Sequence, residues 1–402
     1  MADLSEAGFK ERTRVSTARE ALLDVPSIGR TERVPLSVAD GRTVAEPIDA
    51  VMNVPHYPRA AMDGWAVRAE DTFGASDRSP AIVDPDDSMG PDRAVRVHTG
   101  SELPEGADAV VMIEEAERVG EELELFDAVA EGENVGPVGE DVEAGQGLYE
   151  PGHTLRPSDL GLLKGTGVDT VEVFDHPEVA VVPTGEELVQ SDPDPGEIIE
   201  TNRFTISRLA ERWGADVTRR EIVTDDREAL RAAIQRDLVR DVVVTTGGSS
   251  VGERDLVPEV VRDLGEVLVH GVALKPGHPV ALGIVEGTPV VMLPGYPVAC
   301  IVNAVQFLRP LVKHLGGGSP EPLPAREATL TRKIRSEPGV RTFVRVVLED
   351  GESGPEATPT RASGSGVLSS VALADGWVVV EESREGIAAG ERVAVENWEY
   401  NG

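Results

Sequence analysis

Residues 241–257, DVVVTTGGSSVGERDLV, limit what this chain can fold into more than any other stretch. Val242, Val243, Val244 and Thr245 are consecutive β-favouring residues without polar alternation, the pattern of a strand buried on both faces of a parallel sheet. The run ends in Thr246-Gly247-Gly248-Ser249-Ser250. Adjacent glycines let the backbone approach an anion closely, and the amides and hydroxyls of Ser249 and Ser250 can donate to it. Open α/β sheets place ligands at the carboxyl ends of their strands, so these residues are candidates for holding a phosphate. Asp255 follows at once, and a carboxylate beside a phosphate suits a divalent cation. A tight strand-to-helix turn without a ligand would use the same residues. The stretch is neither GxxxxGK[ST] nor GxGxxG, so neither a P-loop nor a dinucleotide fingerprint is supported.

Around this stretch, residues 175–318 alternate strand and helix signals. Strands are expected at 179–182, 217–223, 242–245, 267–274 and 289–293. Asn202 or Thr205 can cap a helix carrying Phe204, Ile206, Leu209 and Trp213, Asp226 caps one carrying Leu230, Ile234 and Leu238, and a third runs from Pro297 to Leu315. Repeated β-α units of this length give a doubly wound parallel sheet covered on both faces. Its carboxyl edge would collect Thr184, Glu187, Asp225, Gly247, Asp255 and Pro294.

The remainder reads as three further domains. Residues 1–24 have a helical period, with Val15, Ala18, Leu22 and Leu23 near one face. Residues 139–174 hold a short helix after Pro157, with Ser158 as a possible cap. Residues 45–138 read as a small β domain, with strands at 65–67, 94–98, 109–113 and 122–125. Within it Asp63-Gly64 can make a sharp turn that leaves Asp63 at a loop tip, available to a metal or a substrate, although on these residues alone an ordinary Asp-Gly turn is the favoured reading. Gly316-Gly317-Gly318-Ser319-Pro320 is the clearest linker. After it the alternation in 342–347 and 377–380 indicates a C-terminal β-barrel or sandwich. The domains expected are therefore 1–44 with 139–174, 45–138, 175–318 and 319–402.

Charge sets conditions on any ligand. The chain has 72 acidic against 38 basic residues, a formal net charge of -34 and five lysines, which resembles the acidic, lysine-poor surfaces of proteins from very salty cytoplasm. Nucleic acids and anionic membranes are polyanions and poor partners for it. An anionic substrate would meet the same repulsion. At about 1 M salt the Debye length is about 3 Å, so attraction must be local, from backbone amides, a few cations and bound metal. No stretch approaches the length of an apolar membrane span and the first residues lack the core of a signal peptide, so a cytoplasmic protein is expected. Cys300, the single cysteine, excludes an intrachain disulfide and a cysteine zinc site. It reads as a buried structural thiol.

TTGGSSVGERDLV resembles the pterin-phosphate loop of the molybdopterin-binding domain, and four further stretches are similar to the molybdopterin molybdenumtransferase family, the type that includes gephyrin's E domain. They are PHYPRAAMDGWAVRAEDT at 55–72, VVPTGEELV at 181–189, LKPGHPVALG at 274–283 and LPGYPVACIVNAVQFLRPLV at 293–312. The resemblance spans nearly the whole chain in order. It implies an enzyme that takes adenylylated molybdopterin and molybdate, or tungstate, and leaves the metal on the pterin dithiolene with release of AMP. It also implies that 139–174 packs back against the N-terminal helix, and a homodimer in which the Asp63 loop reaches the partner's pterin site.

By resemblance Asp63, Glu187, Asp225, Asp255 and Lys275 are catalytic. Thr99, Thr184, Gly247, Gly248, Ser249, Ser250, Gly252, Pro294, Gly295, Pro297, Arg341 and Ser365 bind substrate. Glu187, Asp225, Asp255 and Asp141 hold Mg²⁺. A solvated loop acid is an almost equal reading for Asp141, and a polar loop for the serines around Ser365. Two departures stand out: Tyr296 where LPGNP is common, and His278 where KPGKP is common, which makes a fixed charge depend on pH. Two other readings compete, a molybdopterin adenylyltransferase acting one step earlier, itself a possible partner, and a non-catalytic pterin-binding scaffold.

Overall fold

The buried run at 242–246 lies inside a six-stranded sheet. A computed structural model describes residues 12–248, 256–352, 354–360 and 366–400. Strands β1 (Glu178–Pro183), β2 (Asp216–Arg219), β3 (Val242–Thr246), β4 (Glu266–His270), β5 (Ala281–Val285) and β6 (Thr288–Leu293) lie in the order β2-β1-β3-β6-β5-β4. Pairs β1–β2, β1–β3 and β3–β6 are parallel, whereas β5–β6 and β4–β5 are antiparallel. The wholly parallel sheet expected from the sequence is thus corrected at one edge. Glu286 and Gly287 both take positive φ, 50° and 88°, the conformation of a hairpin turn whose twist matches its strands. The two-residue turn makes 281–293 a hairpin, and β5 was missed for that reason.

Both faces are covered. Val179, Val181, Val242 and Val244 point to one side and pack with helices α1 (Val15–Leu23), α2 (Asn202–Arg212), α5 (Pro297–Asn303) and α6 (Arg309–Leu315). Val182, Val243, Val290 and Met292 meet α3 (Arg227–Asp237) and α4 (Leu256–Leu264) on the other. This alternation follows from the period of two along a strand. Among the described residues α1 begins only at Val15, with Val15, Ala18 and Leu22 buried. Asp226 caps α3 by accepting from the Ala229 amide at 2.9 Å. In α2 neither Asn202 nor Thr205 is the cap. Thr201 holds the cap position without a side-chain bond, and Phe204 points outward at 60% exposure. Between α5 and α6, residues 304–308 widen to a π-helix. Pro310 has no N–H for the Gln306 carbonyl four residues earlier, which breaks the α-helical ladder there.

Strands β7 (Ala325–Leu330), β8 (Arg341–Gly351), β9 (Gly354–Pro359), β10 (Gly376–Val380) and β11 (Arg392–Glu396) close into a barrel in the order β8-β9-β7-β11-β10-β8. Leu274–Lys275 joins β8 in parallel beside Arg341 and Thr342, which fastens the LKPGHP segment to the barrel. These elements form one unit of the chain, Met1–Glu32, Gly41–Ala45 and Val173–Gly402. Arg33–Asp40 and Glu46–Glu172 form another.

The second unit is built on a six-stranded sheet in the order Ala109–Met112, Gly64–Val67, Arg93–Val97, Ala81–Pro85, Glu122–Leu125 and Ala116–Val119. Gly64 opens a strand rather than making the turn expected at Asp63-Gly64. A Cβ there would lie 2.0 Å from the Val111 carbonyl, so close backbone approach is what requires glycine. Helix Pro157–Gly165 is capped at Arg156 and not at Ser158, because proline takes the first helical position and the Asp159 carboxylate accepts from the Arg156 amide at 2.9 Å.

Candidate functional site

Three strand ends meet at the carboxyl edge of the parallel strands. The Thr184 amide donates to the Thr246 carbonyl at 3.1 Å, that of Gly185 to Val223 at 3.2 Å and that of Gly247 to Leu293 at 3.0 Å. A Cβ at Gly247 would lie 2.3 Å from the Thr184 carbonyl oxygen, and one at Gly248 3.1 Å from Thr184 Oγ1, so both positions are closed to larger residues. The Thr184, Thr245 and Thr246 hydroxyls are buried and, among the described residues, have no hydrogen-bond partner. Buried hydroxyls in that state cost free energy until a ligand or water satisfies them. Thr184, Gly247, Gly248 and Gly295 are therefore brought together. Asn202, which sequence reasoning treated as a cap, joins them by donating to the Gly295 carbonyl at 2.6 Å. Glu187 extends over Gly185, where a Cβ would lie 2.7 Å from its carboxylate. Asp225 follows Val223, which bridges Thr184.

Pro294 and Tyr296 lead from these loops into a cleft of about 750 Å³. Lys275, His278, Lys333, Arg335 and Arg345 line it, with Pro276, Ile334 and Phe343 among its apolar walls, and among the described residues no carboxylate side chain lines it. Four permanent cations around one cleft are notable in a chain of net charge -34. Burial lowers the pKa of the Arg345 guanidinium. Burial first, then Arg12 and Lys275, hold His278 below its ordinary value, with Glu337 opposing. Asn303, wholly buried, donates from Nδ2 to the Gly277 carbonyl at 3.0 Å and to the Ala299 carbonyl at 2.8 Å, fixing the loop that carries Lys275 and His278. Pro297 starts α5 at the first helical turn. Cys300 is buried in that helix, and burial pushes its thiol far above the ordinary range, so it is no nucleophile.

Lys333, Arg335 and Arg345 were missed. The run TRKIR at 331–335 was their available signal, since it concentrates cations in an acidic chain. Arg341 lies elsewhere: its side chain pairs with Glu381 and, at 3.4 Å, with Glu382, and it lines a different pocket.

In the second unit Asp63 and Thr99 are joined. Asp63 Oδ1 accepts from the Thr99 amide at 2.7 Å and from its hydroxyl at 2.8 Å, and these bonds hold the carboxyl below its ordinary range. His98 Nδ1 stands 3.9 Å from Asp63 Oδ2. Asp141 lies in a shallow pocket with Arg59 and Glu140. Ser249, Ser250, Gly252, Asp255 and Ser365 fall outside the described residues. Among the described residues no three His, Cys, Asp or Glu side chains gather as a metal site, and no helix is long and apolar enough to cross a membrane.

Comparison with known proteins covers this whole arrangement. Residues 13–167 match the MoeA N-terminal region (domain I and II), 180–314 a probable molybdopterin binding domain and 327–398 the MoeA C-terminal region (domain IV). A putative molybdopterin biosynthesis protein of Methanocaldococcus jannaschii is 37% identical over 379 residues, 91% of this chain and 92% of its own length. The molybdopterin molybdenumtransferase of Haemophilus influenzae is 32% identical over 395 residues, 95% of this chain and 98% of its own. A crystal structure of the molybdopterin biosynthesis MoeA protein from a Pyrococcus species superposes with a TM-score of 0.82 at 35% identity, covering 96% of this chain and 99% of that one.

Proposed function

Because the chain belongs to the MoeA family of molybdopterin molybdenumtransferases, we propose that it inserts molybdenum, or tungsten, into adenylylated molybdopterin with release of AMP, in molybdenum cofactor biosynthesis. The observation that carries this reading is the cationic cleft, which adjoins loops able to hold a phosphate and, among the described residues, has no lining carboxylate in a strongly acidic chain.

The substrate is anionic at its phosphates and its second reactant is an oxyanion. In this reading Lys275, Lys333, Arg335 and Arg345 hold the oxyanion and steady charge as the pyrophosphate breaks. Preorganised cations in a partly enclosed site are effective because they need no reorganisation during reaction. Thr184, Gly247 and Gly248, continued by Ser249, Ser250 and Gly252, cradle the pterin phosphate. Mg²⁺ is usually held through one or two carboxylates together with substrate phosphates, a requirement that Glu187 and Asp225 fit in residue type. Asp255 would complete the set, and the cation would neutralise the pyrophosphate. Asp141 is the fourth candidate ligand.

The same reading includes a homodimer that presents Asp63 and Thr99 to the neighbouring subunit's site, a cytoplasmic location in a salt-rich cell, and delivery of substrate by a molybdopterin adenylyltransferase. It retains the four domains, 1–44 with 139–174, 45–138, 175–318 and 319–402, of which only the boundaries near 174 and 318 have support from the breaks between family matches at 167–180 and 314–327.

The test is AMP release from adenylylated molybdopterin at high salt with Mg²⁺, with and without molybdate or tungstate. Oxyanion-dependent release, lost in Lys275→Ala and Asp63→Ala, is expected. Tight pterin binding without AMP release would instead establish a scaffold, and adenylylation of free molybdopterin by ATP the earlier enzyme.

A further inference from the structure

A second pocket, about 280 Å³, lies where α1, the π-helical turn, the segment at 320–323 and the barrel come together. It is lined by Arg19, Gln306, Arg309 and Arg341 and by Glu321, Glu381 and Glu396, none of them a wall of the substrate cleft. Its cations are differently placed from most arginines of the chain. Arg341 is neutralised by Glu381 and Glu382. Arg19 instead donates Nε to the Gln306 carbonyl at 3.1 Å and Nη2 to Gln306 Oε1 at 2.8 Å, and Arg309 donates to the Glu321 carbonyl at 2.6 Å. All three acceptors are neutral. Among the described residues neither arginine forms an ion pair, although acids outnumber bases 72 to 38 in the chain.

Two of the three acids of the pocket are engaged elsewhere, and the third, Glu321, attracts Arg309 without forming an ion pair with it among the described residues. Glu381 is committed to Arg341, and Glu396 accepts from Trp377 Nε1 at 2.8 Å. Burial is the main influence on each cation and lowers all three: Arg19 with help from Arg341, Lys313 with help from Arg309 against Glu321, and Arg309 against an attraction to Glu321 that exceeds the repulsion from Arg19. Half-buried cations that repel one another and bond only to neutral oxygens leave donors and charge available to an anion, and the guanidinium fork matches tetrahedral oxyanions well.

We propose that this pocket is a second anion site, which takes a phosphate-class oxyanion between Arg19 and Arg309 and thereby ties the first helix to the segment entering the barrel. The π-helical turn has a part in it: Pro310 leaves the Gln306 carbonyl without its usual donor, and Arg19 takes that place while keeping its other face toward the pocket.

Selenate is the probe, as a tetrahedral oxyanion visible by anomalous scattering. Crystals of the full chain grown with selenate should show an anomalous peak within hydrogen-bond distance of both guanidinium groups. No peak there overturns the proposal. In solution at constant ionic strength, selenate should raise the thermal midpoint saturably. In a Lys333→Gln background, which weakens oxyanion binding in the substrate cleft, Arg309→Gln and Arg19→Gln should each weaken the remaining response by about tenfold in half-saturating concentration, as loss of a charge-assisted bidentate contact implies. A peak whose stabilising effect survives both arginine substitutions would be an adventitious ion only and would refute the site. Should one arginine variant fail to fold, the other and the anomalous map still decide.

Discussion

The loop that presents Lys275 and His278 depends on one steric fit, between Gly277 and Asn303. Gly277 sits at φ +111°, and a Cβ there would lie 2.1 Å from Asn303 Nδ2 and 3.2 Å from the Ala299 carbonyl oxygen. Gly277→Ala therefore meets two penalties. Backbone strain for a non-glycine residue in such a conformation is about 1–3 kcal/mol. Expelling the Asn303 amide loses two buried hydrogen bonds, at about 1 kcal/mol each. The sum is about 4 kcal/mol. Asn303→Ala loses the same two bonds and leaves a small void, about 3 kcal/mol together. Independent effects would add to about 7 kcal/mol, but in the double variant the bonds are lost only once and the new methyl enters the vacated space, so about 4 kcal/mol is expected. Denaturant unfolding followed by tryptophan fluorescence reads this out, since Trp213, Trp377 and Trp398 all belong to the core of this unit. Both single variants should also raise the KM for the oxyanion, because Lys275 and His278 flank Gly277 and line the cleft. Strict additivity of the two substitutions, or a Gly277→Ala cost near zero, would show that the amide does not hold the loop.

Other outcomes follow from the same geometry. Lys275→Ala should raise the KM for molybdate by about tenfold while the fold is kept, as loss of one charge-assisted contact would; steady-state kinetics at fixed salt checks it. His278 is held below its ordinary value of 6.5, so it is neutral at pH 7 and charges only as pH falls through the depressed value. Oxyanion affinity should therefore rise on acidification, and His278→Lys should flatten that profile. For stability the sign is opposite: the preference for neutral His278 is fully present above 6.5 and lost as pH falls through the lower folded value. Asp159 is buried and accepts from Arg156 Nη2 at 2.9 Å and pairs with His153 at 2.7 Å, which hold its carboxyl well below the ordinary range. Asp159→Asn should destabilise the second unit by about 3–5 kcal/mol near pH 7. In wild type this contribution is present above the ordinary carboxylate pKa and lost as pH falls through the depressed one, so acid unfolding should narrow the difference between the two proteins.

How much was legible in advance depended on whether a signal was local. β3 and its glycines were readable because a buried strand and a close backbone approach both leave marks in consecutive residues. The Val182 and Val243 face could be told from the Val181 and Val244 face by period alone. The antiparallel edge was less legible, because Glu286-Gly287 is an uncommon spelling of a hairpin turn. Gly64 was misread since the sequence shows that a glycine is required but not whether φ or a neighbouring carbonyl requires it. Asn202 looked like a cap, as asparagine beside a helix often is, and only the fold reveals the Gly295 carbonyl as its acceptor. The cations of the cleft were hidden for a related reason. Lys275 comes from the α/β half, Lys333 and Arg335 from a barrel connection and Arg345 from β8, and only pairing of Leu274–Lys275 with β8 brings them to one place.

That separation in sequence bears on how an acidic protein attracts an oxyanion. The field of a -34 chain repels molybdate at long range, whereas in the proposed reading the four cations of the described cleft lining would attract it at contact. Salt acts unequally on the two. Going from about 0.1 to 1 M shortens the Debye length from about 10 to 3 Å, which removes repulsion from distant surface charges but screens a partly enclosed contact much less. The KM for molybdate should therefore fall as salt rises through this range, the reverse of what a basic anion-binding protein shows. Replacing Arg345 by Gln should raise the KM at every salt concentration without changing the direction of the trend, because the trend belongs to the surface and the contact to the cleft. A KM that climbs steadily with salt in the folded wild-type protein would mean that the cleft cations themselves dominate at long range, and that the surface charge has no part in setting affinity.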